Sequence, residues 1–257
     1  MKNQDWTQTL WRIAWVGGLV LVAGLVISAM EHKQASLAAG VVIQIDPMPD
    51  STMLIKESDV LVQIDRSFGF ALEGRPLKSI DVTRVERVLE EDPLILDADV
   101  FVDAKNMVRI SIVQREPVLR IIDRNGLNYY LDEKGIKMPL SKHFTTRVLV
   151  ATGSIPPHVP DFREQDNHRL SDVFELAHLI REDDFLAAMI EQIHVEEDGD
   201  FIMVPLVGDQ RIILGPYERV EEKLKNLKLF YREGMPYEGW RTYRSINLSY
   251  QGQVVCK

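Results

Sequence analysis

The stretch from Val85 to Leu140 constrains this chain most. It opens on a helical pattern in which Val82, Val85, Val88 and Leu89 make one apolar stripe, and Pro93 forbids continuation. Two alternating segments follow. Ala98, Val100 and Val102 face one way while Asp97, Asp99 and Asp103 face the other; Val108, Ile110 and Ile112 repeat the period after the polar turn Ala104-Lys105-Asn106. Upstream, Val41, Ile43 and Ile45 alternate in the strand period before Pro47 and Pro49 end the run. Ser58 is placed to cap a helix carrying Val60, Leu61, Ile64 and Phe68, with Gly69 as its C′ residue. Asp81 reads as the N-cap of the next helix, with Ile80 and Val85 as a hydrophobic staple. The predicted order is β-α-α-β-β.

The rest of the chain reads as mixed β with helices. Asn125-Gly126 signals a two-residue hairpin, and Asp132 to Gly135 fits a turn closing on a left-handed glycine. Arg147 to Val150 is a short strand, and Ser154 to Pro160 a proline-rich loop. Leu170 to Ile190 carries helical periodicity broken at Asp183-Asp184, and Ile193 to Val204 a hairpin around Asp198-Gly199. Arg211 to Leu214 is a strand, Pro216 to Glu233 an amphipathic helix, and Ser245 to Tyr250 the last strong strand.

Ile13 to Met30 is eighteen residues without a charge. As a helix it spans roughly 27 Å, close to the hydrocarbon thickness of a bilayer. Trp6, Trp11 and Trp15 cluster at its N-terminal end, as interfacial anchors do. The competing reading is a cleavable signal peptide, with small residues near Ala35 to Ala39 as its site; the length of the apolar run favours an anchor. The few residues before it cannot fold alone, so the folded mass lies after it. Lys2 and Arg12 before the span, against Lys33 after it, bias the N-terminus to the cytoplasm.

Chemistry is hard to find. A net charge of −9 opposes nucleic acid as a partner, since phosphate contacts need a basic face. The single cysteine, Cys256, makes no internal disulfide. The six histidines show no metal-ligand spacing; Glu175 and His178 alone supply too few ligands. Glu196 to Asp200 lacks the ligand pattern of a calcium loop and reads as a solvated acidic turn. No nucleophile elbow, phosphate loop or dinucleotide fingerprint is present. No catalytic, metal or cofactor residue is assigned, and no small-molecule substrate is expected.

A helix ending in Leu89 precedes Pro93, then come Ala98-Asp99-Val100 and Ile110 to Pro117, with Arg115 shortly before Pro117. Tyr130, Leu131, Asp132 and Gly135 follow, and then Val148 to Gly153. In this order and spacing, and over essentially the whole chain including the N-terminal anchor, the sequence resembles the bacterial cell-division FtsQ (DivIB) family, in its Bacteroidota-like branch. Relatives commonly have Trp-Pro where this chain has Lys105-Asn106-Met107, and Asp and Arg where it has Asn247 and Ser249. The resemblance implies an α+β chain: a cytoplasmic tail (1–12), a transmembrane helix (13–30), a linker (31–40), a POTRA domain (41–116) and a β domain with flanking helices (117–257). It implies a single-pass inner-membrane protein at the division septum, with its bulk in the periplasm. Its expected role is to link early and late divisome components by binding proteins, with FtsB-like and FtsL-like bitopic coiled-coil proteins as partners. A POTRA-type export or assembly factor, or a membrane-anchored periplasmic cell-wall hydrolase, are the rivals.

The segment Tyr243 to Cys256 admits two readings on periodicity alone. It is either a closing strand whose apolar face is core, or an edge that accepts a partner strand. The resemblance favours the edge, assigning partner contact to Ser245, Asn247, Ser249, Tyr250, Gln253, Val254 and Val255, with Tyr250 at the family's tyrosine of the last strong strand.

Overall fold

The computed structural model describes residues 11, 15–24, 36–165, 167–239 and 242–257. Residues 15–24 are helical. The predicted span 13–30 lies otherwise outside the described residues, as does nearly all of the tail 1–12. Among the described residues no helix is long and apolar enough to cross a membrane.

Described residues up to Asp46, together with Lys56–Val113, form one compact unit. It contains β1 (Gly40–Asp46), α1 (Glu57–Phe68), α2 (Val82–Glu90), β2 (Ile95–Val102) and β3 (Met107–Gln114), in the predicted order. β3 lies between β1 and β2, and β1 runs parallel to it from Gly40 opposite Met107 to Asp46 opposite Val113. Val108, Ile110 and Ile112 of β3 are buried with Val60 and Ile64 of α1 and Val85 and Leu89 of α2. Asp81 caps α2 as predicted, its Oδ1 accepting from the Arg84 N–H at 3.1 Å. Gly69 ends α1 in the left-handed conformation, at φ 73°. The start of α1 is corrected: Lys56 holds the cap position, and Asp59 Oδ2 accepts its N–H at 2.9 Å. Asp59 can reach back one turn, whereas Ser58 already lies inside the helix. Glu86 of α2 accepts the Val100 N–H at 2.9 Å, which blocks one donor of β2.

The second unit joins Pro47–Ile55 to Gln114–Lys257. Its strands are β4 (Pro117–Ile122), β5 (Asn128–Asp132), β6 (Lys137–Met138), β7 (Leu149–Gly153), β8 (Ile190–Val195), β9 (Phe201–Pro205), β10 (Arg211–Gly215), β11 (Ser245–Asn247) and β12 (Val255–Cys256). They form one sheet in the order β12-β11-β10-β9-β8-β7-β4-β5-β6. β4, β7 and β8 run parallel, β5 and β9 run against them, and β10 and β11 are again parallel to each other. The helices are α3 (Arg169–Arg181), α4 (Asp184–Met189), α5 (Val220–Leu229) and α6 (Met235–Glu238). Asp183 breaks α3 from α4 as predicted, capping α4 through the N–H groups of Phe185 and Leu186.

The register sorts side chains onto two faces. Ile121, Ala151, Ile193, Met203, Ile212, Ile246 and Cys256 fall in one cross-strand row, and join the core with Val173, Phe174, Leu186, Leu224 and Leu227 of the helices. The neighbouring row, Ile122, Thr152, His194, Ile202, Ile213, Asn247 and Val255, lies on the other face and outside that core.

Three hairpin turns share one construction. Asp103, Asp123 and Asp132 each accept through Oδ1 from the N–H groups two and four residues on, at 2.7–3.0 Å. The fourth position of each turn is left-handed: Asn106, Gly126 and Gly135. This corrects the two-residue turn read at Asn125-Gly126. The Asp123 carboxylate captures Asn125 and Leu127, so the loop is longer and only Gly126 takes a positive φ.

Pro47–Ile55 is held by the Gln114 side chain. Its Oε1 accepts from Leu54 N–H at 2.6 Å and Ile55 N–H at 3.3 Å, and its Nε2 donates to the Thr52 carbonyl at 3.5 Å. Ser141 Oγ donates to the Leu54 carbonyl. Gln114→Leu keeps the volume and leaves two buried N–H groups without that acceptor, so the expected loss is about 2–4 kcal/mol. Hydrogen exchange at Leu54 and Ile55 checks it: unchanged protection in the variant would show that the amide does not hold the segment.

Candidate partner-binding edge

β11 forms because Ile246 and Leu248 both seek the core, and it pairs in parallel with β10 through Arg211 opposite Ser245 and Ile213 opposite Asn247. The alternation runs on to Tyr250, but the strand stops at Asn247. Asn247 Oδ1 accepts the Ser249 N–H at 2.8 Å, turning the chain out of the sheet. Gly215 of β10 makes room for this turn: a Cβ there would stand 2.4 Å from Ser249 Oγ. The predicted strand Ser245 to Tyr250 is therefore corrected to Ser245–Asn247, and Tyr250 lies at an exposed turn, not in a strand. The chain reverses through Gly252, at φ 65°, and returns as β12, antiparallel to β11, with Val255 opposite Asn247 and Cys256 opposite Ile246.

Among the described residues β12 is the terminal strand of the sheet. Ser245 and Lys257 exchange both backbone hydrogen bonds, at 3.0 and 3.1 Å. By antiparallel alternation the N–H and C=O of Cys256 point away from β11, toward the open side. The sequence-assigned residues thus separate. Asn247 and Val255 are direct cross-strand partners on the outer face, with Ser245 beside them, while Val254 packs against the core. Ser249 is half-buried in the turn; Tyr250 and Gln253 are exposed.

The edge has a floor that periodicity did not reveal. α5 does not begin at Pro216 as read; the Pro216 carbonyl takes Glu218 N–H at 2.7 Å and Lys223 Nζ at 2.8 Å, and the helix starts at Val220. Its far end widens into a π turn, Phe230–Gly234, before α6. Pro236 in the first turn of α6 has no N–H to give, and the wider turn accommodates that loss. The π turn holds Tyr231 buried in the neighbourhood of Cys256. Burial and the neighbouring Cys256 push the Tyr231 hydroxyl up to about 12, and burial raises the Cys256 thiol, so both stay neutral at physiological pH. Among the described residues no group of three or more metal-ligating side chains occurs.

A family model described as FtsQ/DivIB, C-terminal related, matches residues 116–257, which include the whole of this edge. The chain belongs to the FtsQ/DivIB family. A POTRA-like domain model matches residues 37–113, so the chain combines a POTRA-like domain with a β domain. The "Cell division protein FtsQ" of Chloroflexus aurantiacus is 26% identical over 186 residues, covering 70% of this chain and 65% of that protein. The match thus spans just under two thirds of the relative's length.

The FtsQ/DivIB resemblance in the sequence rested on separate motifs, and the structure joins two of them. Arg115, before Pro117, donates from Nη1 to Asp132 Oδ2 at 2.8 Å, and Asp132 is the aspartate of the Tyr-Leu-Asp-x-x-Gly turn. These residues hold the entry of β4 against the end of β5, with Pro117 opposite Asp132. Their role is architectural. Next to them His158 donates from Nε2 to the Gly135 carbonyl at 3.1 Å, its ring packed against Tyr129 and Phe162. Burial holds the His158 pKa below its usual value, reinforced by Lys137 and His168 and only partly offset by the Gly135 hydrogen bond. The folded state therefore binds this proton less readily than the unfolded one. Stability contributed here is complete above about pH 6.5 and falls as pH drops from there to the lowered folded value. Amide exchange in residues 154–165, corrected for intrinsic rates, is expected to be faster at about pH 5.5 than at 7.5, and His158→Gln to flatten the difference. An identical pH profile in the variant would contradict the assignment.

Proposed function

We propose that this chain is a non-enzymatic assembly protein of the bacterial division machinery, acting by binding proteins through the open edge of β12. The observation that carries the proposal is that edge: a two-residue terminal strand with outward N–H and C=O groups, inside the region that matches the FtsQ/DivIB family. The name of the Chloroflexus relative, a cell division protein, supports the same role. In this account 13–30 is a single membrane anchor with its N-terminus in the cytoplasm. The POTRA module (41–116) serves recruitment, and the β module (117–257) binds FtsB-like and FtsL-like coiled-coil proteins in the periplasm at the septum. The chain then links early and late division proteins and helps control septal peptidoglycan synthesis without turnover of its own. Ser245, Asn247, Ser249, Tyr250, Gln253, Val254 and Val255 flank or form the docking edge.

The test is recovery of the full chain from native membranes, with Tyr250→Asp in parallel, scored by mass spectrometry. Short bitopic coiled-coil proteins should accompany the wild type and be lost from the variant. Their absence from both, with the chain folded, would remove the division role; their presence in both would move the docking site away from the β11–β12 turn.

A further inference from the structure

The two ends of the nine-stranded sheet differ in charge and in what their loops expose. β4, β7 and β8 are parallel and β9 runs against them. The turn Glu196–Asp200 and the turn at Asp123 to Leu127 therefore lie at one end. The turn at Asp132 to Ile136, the connection entering β7 and the β9–β10 loop lie at the other. The first end holds the acidic run Glu196, Glu197, Asp198 and Asp200. At the second, Lys134 to Arg147 contains Lys134, Lys137, Lys142 and Arg147 and no carboxylate; the acids of this end are Asp132, which is paired with Arg115, and Glu133, Glu191 and Asp209, in a chain whose net charge is −9.

That second end also carries bare apolar side chains. Val207 is 77% exposed, Phe144 48%, and Leu206 and Ile136 each 44%. They stand on three separate loops. A groove of about 440 Å³ joins two of these loops, lined by Arg120, Thr145, Arg147, Ala187, Glu191 and Leu206 among others. Its walls mix Val148, Leu149, Val150, Ile190 and Leu206 with Thr145, Arg147 and Glu191, and the most exposed apolar side chains of this end, Phe144 and Val207, stand outside it, so they are not walls of a slot for a partner's anchor residue. Single apolar tips set among cations match a different acceptor, one that is flat, adaptable, apolar just below its surface and negatively charged.

From this we infer that the basic end of the β domain docks on an anionic lipid surface, with Phe144, Leu206 and Val207 entering the interface and Lys142 and Arg147 meeting lipid phosphates. The acidic opposite end is repelled by the same surface, so the charge asymmetry also sets the orientation of the sheet. The inference is independent of the β12 edge, and concerns the β domain alone.

The full chain, reconstituted into vesicles, carries a photo-reactive benzophenone residue in place of Val207 or, as a control at the acidic end, of Asn125. Vesicles with about 30% phosphatidylglycerol in phosphatidylcholine are compared with phosphatidylcholine alone; lipid adducts at position 207 should dominate in the first and fall about fivefold for each charge removed by Lys142→Gln or Arg147→Gln. Adducts no more frequent at 207 than at 125, or equal in both lipid mixtures, would overturn the inference, as would cross-links at 207 to protein only. Flotation with phosphatidylcholine vesicles reports the N-terminal anchor separately. Flotation without adducts therefore refutes lipid docking, whereas failure to float refutes the anchor.

Discussion

Asp132→Ala is expected to lower the stability of the second unit by about 3–5 kcal/mol, the range for breaking a buried ion pair from one side. The carboxylate is 4% exposed and works at both oxygens. Oδ2 receives the Arg115 guanidinium, while Oδ1 takes the N–H groups of Lys134 at 2.9 Å and Ile136 at 2.7 Å. Alanine removes all three at once, stripping a half-buried cation of its carboxylate and two turn amides of their acceptor. Asp132→Asn keeps the shape and one good acceptor and should lose clearly less. Hydrogen exchange of the β5 amides against denaturant measures both variants. A loss below about 1 kcal/mol for alanine would mean the pair behaves as a solvent-screened surface bridge.

Gly153→Ala is the second large effect. Gly153 closes β7 at φ 98°, and a Cβ there would stand 2.1 Å from the Val195 carbonyl oxygen. That oxygen is backbone in the adjacent strand and already accepts the Ser154 N–H at 2.8 Å, so it cannot swing aside like a side-chain tip. Left-handed strain of about 1–2 kcal/mol combines with displacement of β7 from β8, for an expected loss of about 3 kcal/mol or more. Gly126 supplies the control. Its φ of 78° is similar, but nothing lies within 4 Å of its Cβ position. Gly126→Ala should therefore show the strain alone, about 1–2 kcal/mol. Equal losses at the two positions would show that the contact with Val195 relaxes freely.

These two residues also mark what the sequence made readable. Asp132 and Gly135 were visible because turn chemistry needs a short acceptor and a positive φ at fixed spacing; Gly153 was visible only through the family resemblance. The helix cap at Asp81, the helix break at Asp183-Asp184 and the helix end at Gly69 were visible for the same reason as Asp132 and Gly135: each depends on neighbours within one turn. What stayed hidden depends on distant partners. Gln114 meets Leu54 across 60 positions, and nothing near either residue signals that meeting. The parallel pairing of β10 with β11 is set by a shared core across α5, which periodicity cannot report. The candidate edge shows both cases. The alternation Ile246, Leu248, Tyr250 was real, yet one Asn247 amide bond turned the chain before Tyr250 and created the return strand that now bounds the sheet.

The central claim is that partners add to β12, and the Cys256 backbone tests it most directly. Its N–H points outward, so Cys256→Pro removes a donor to a partner strand while the bonds between β11 and β12 at Ser245 and Lys257 remain. Binding of a purified FtsB-like coiled-coil partner to the reconstituted full chain is compared for wild type and Cys256→Pro, with hydrogen exchange of β11 confirming that the sheet is intact. The account predicts at least about tenfold weaker binding, the loss of roughly one well-made backbone hydrogen bond. Unchanged affinity, with β11 still protected, would contradict docking at this edge.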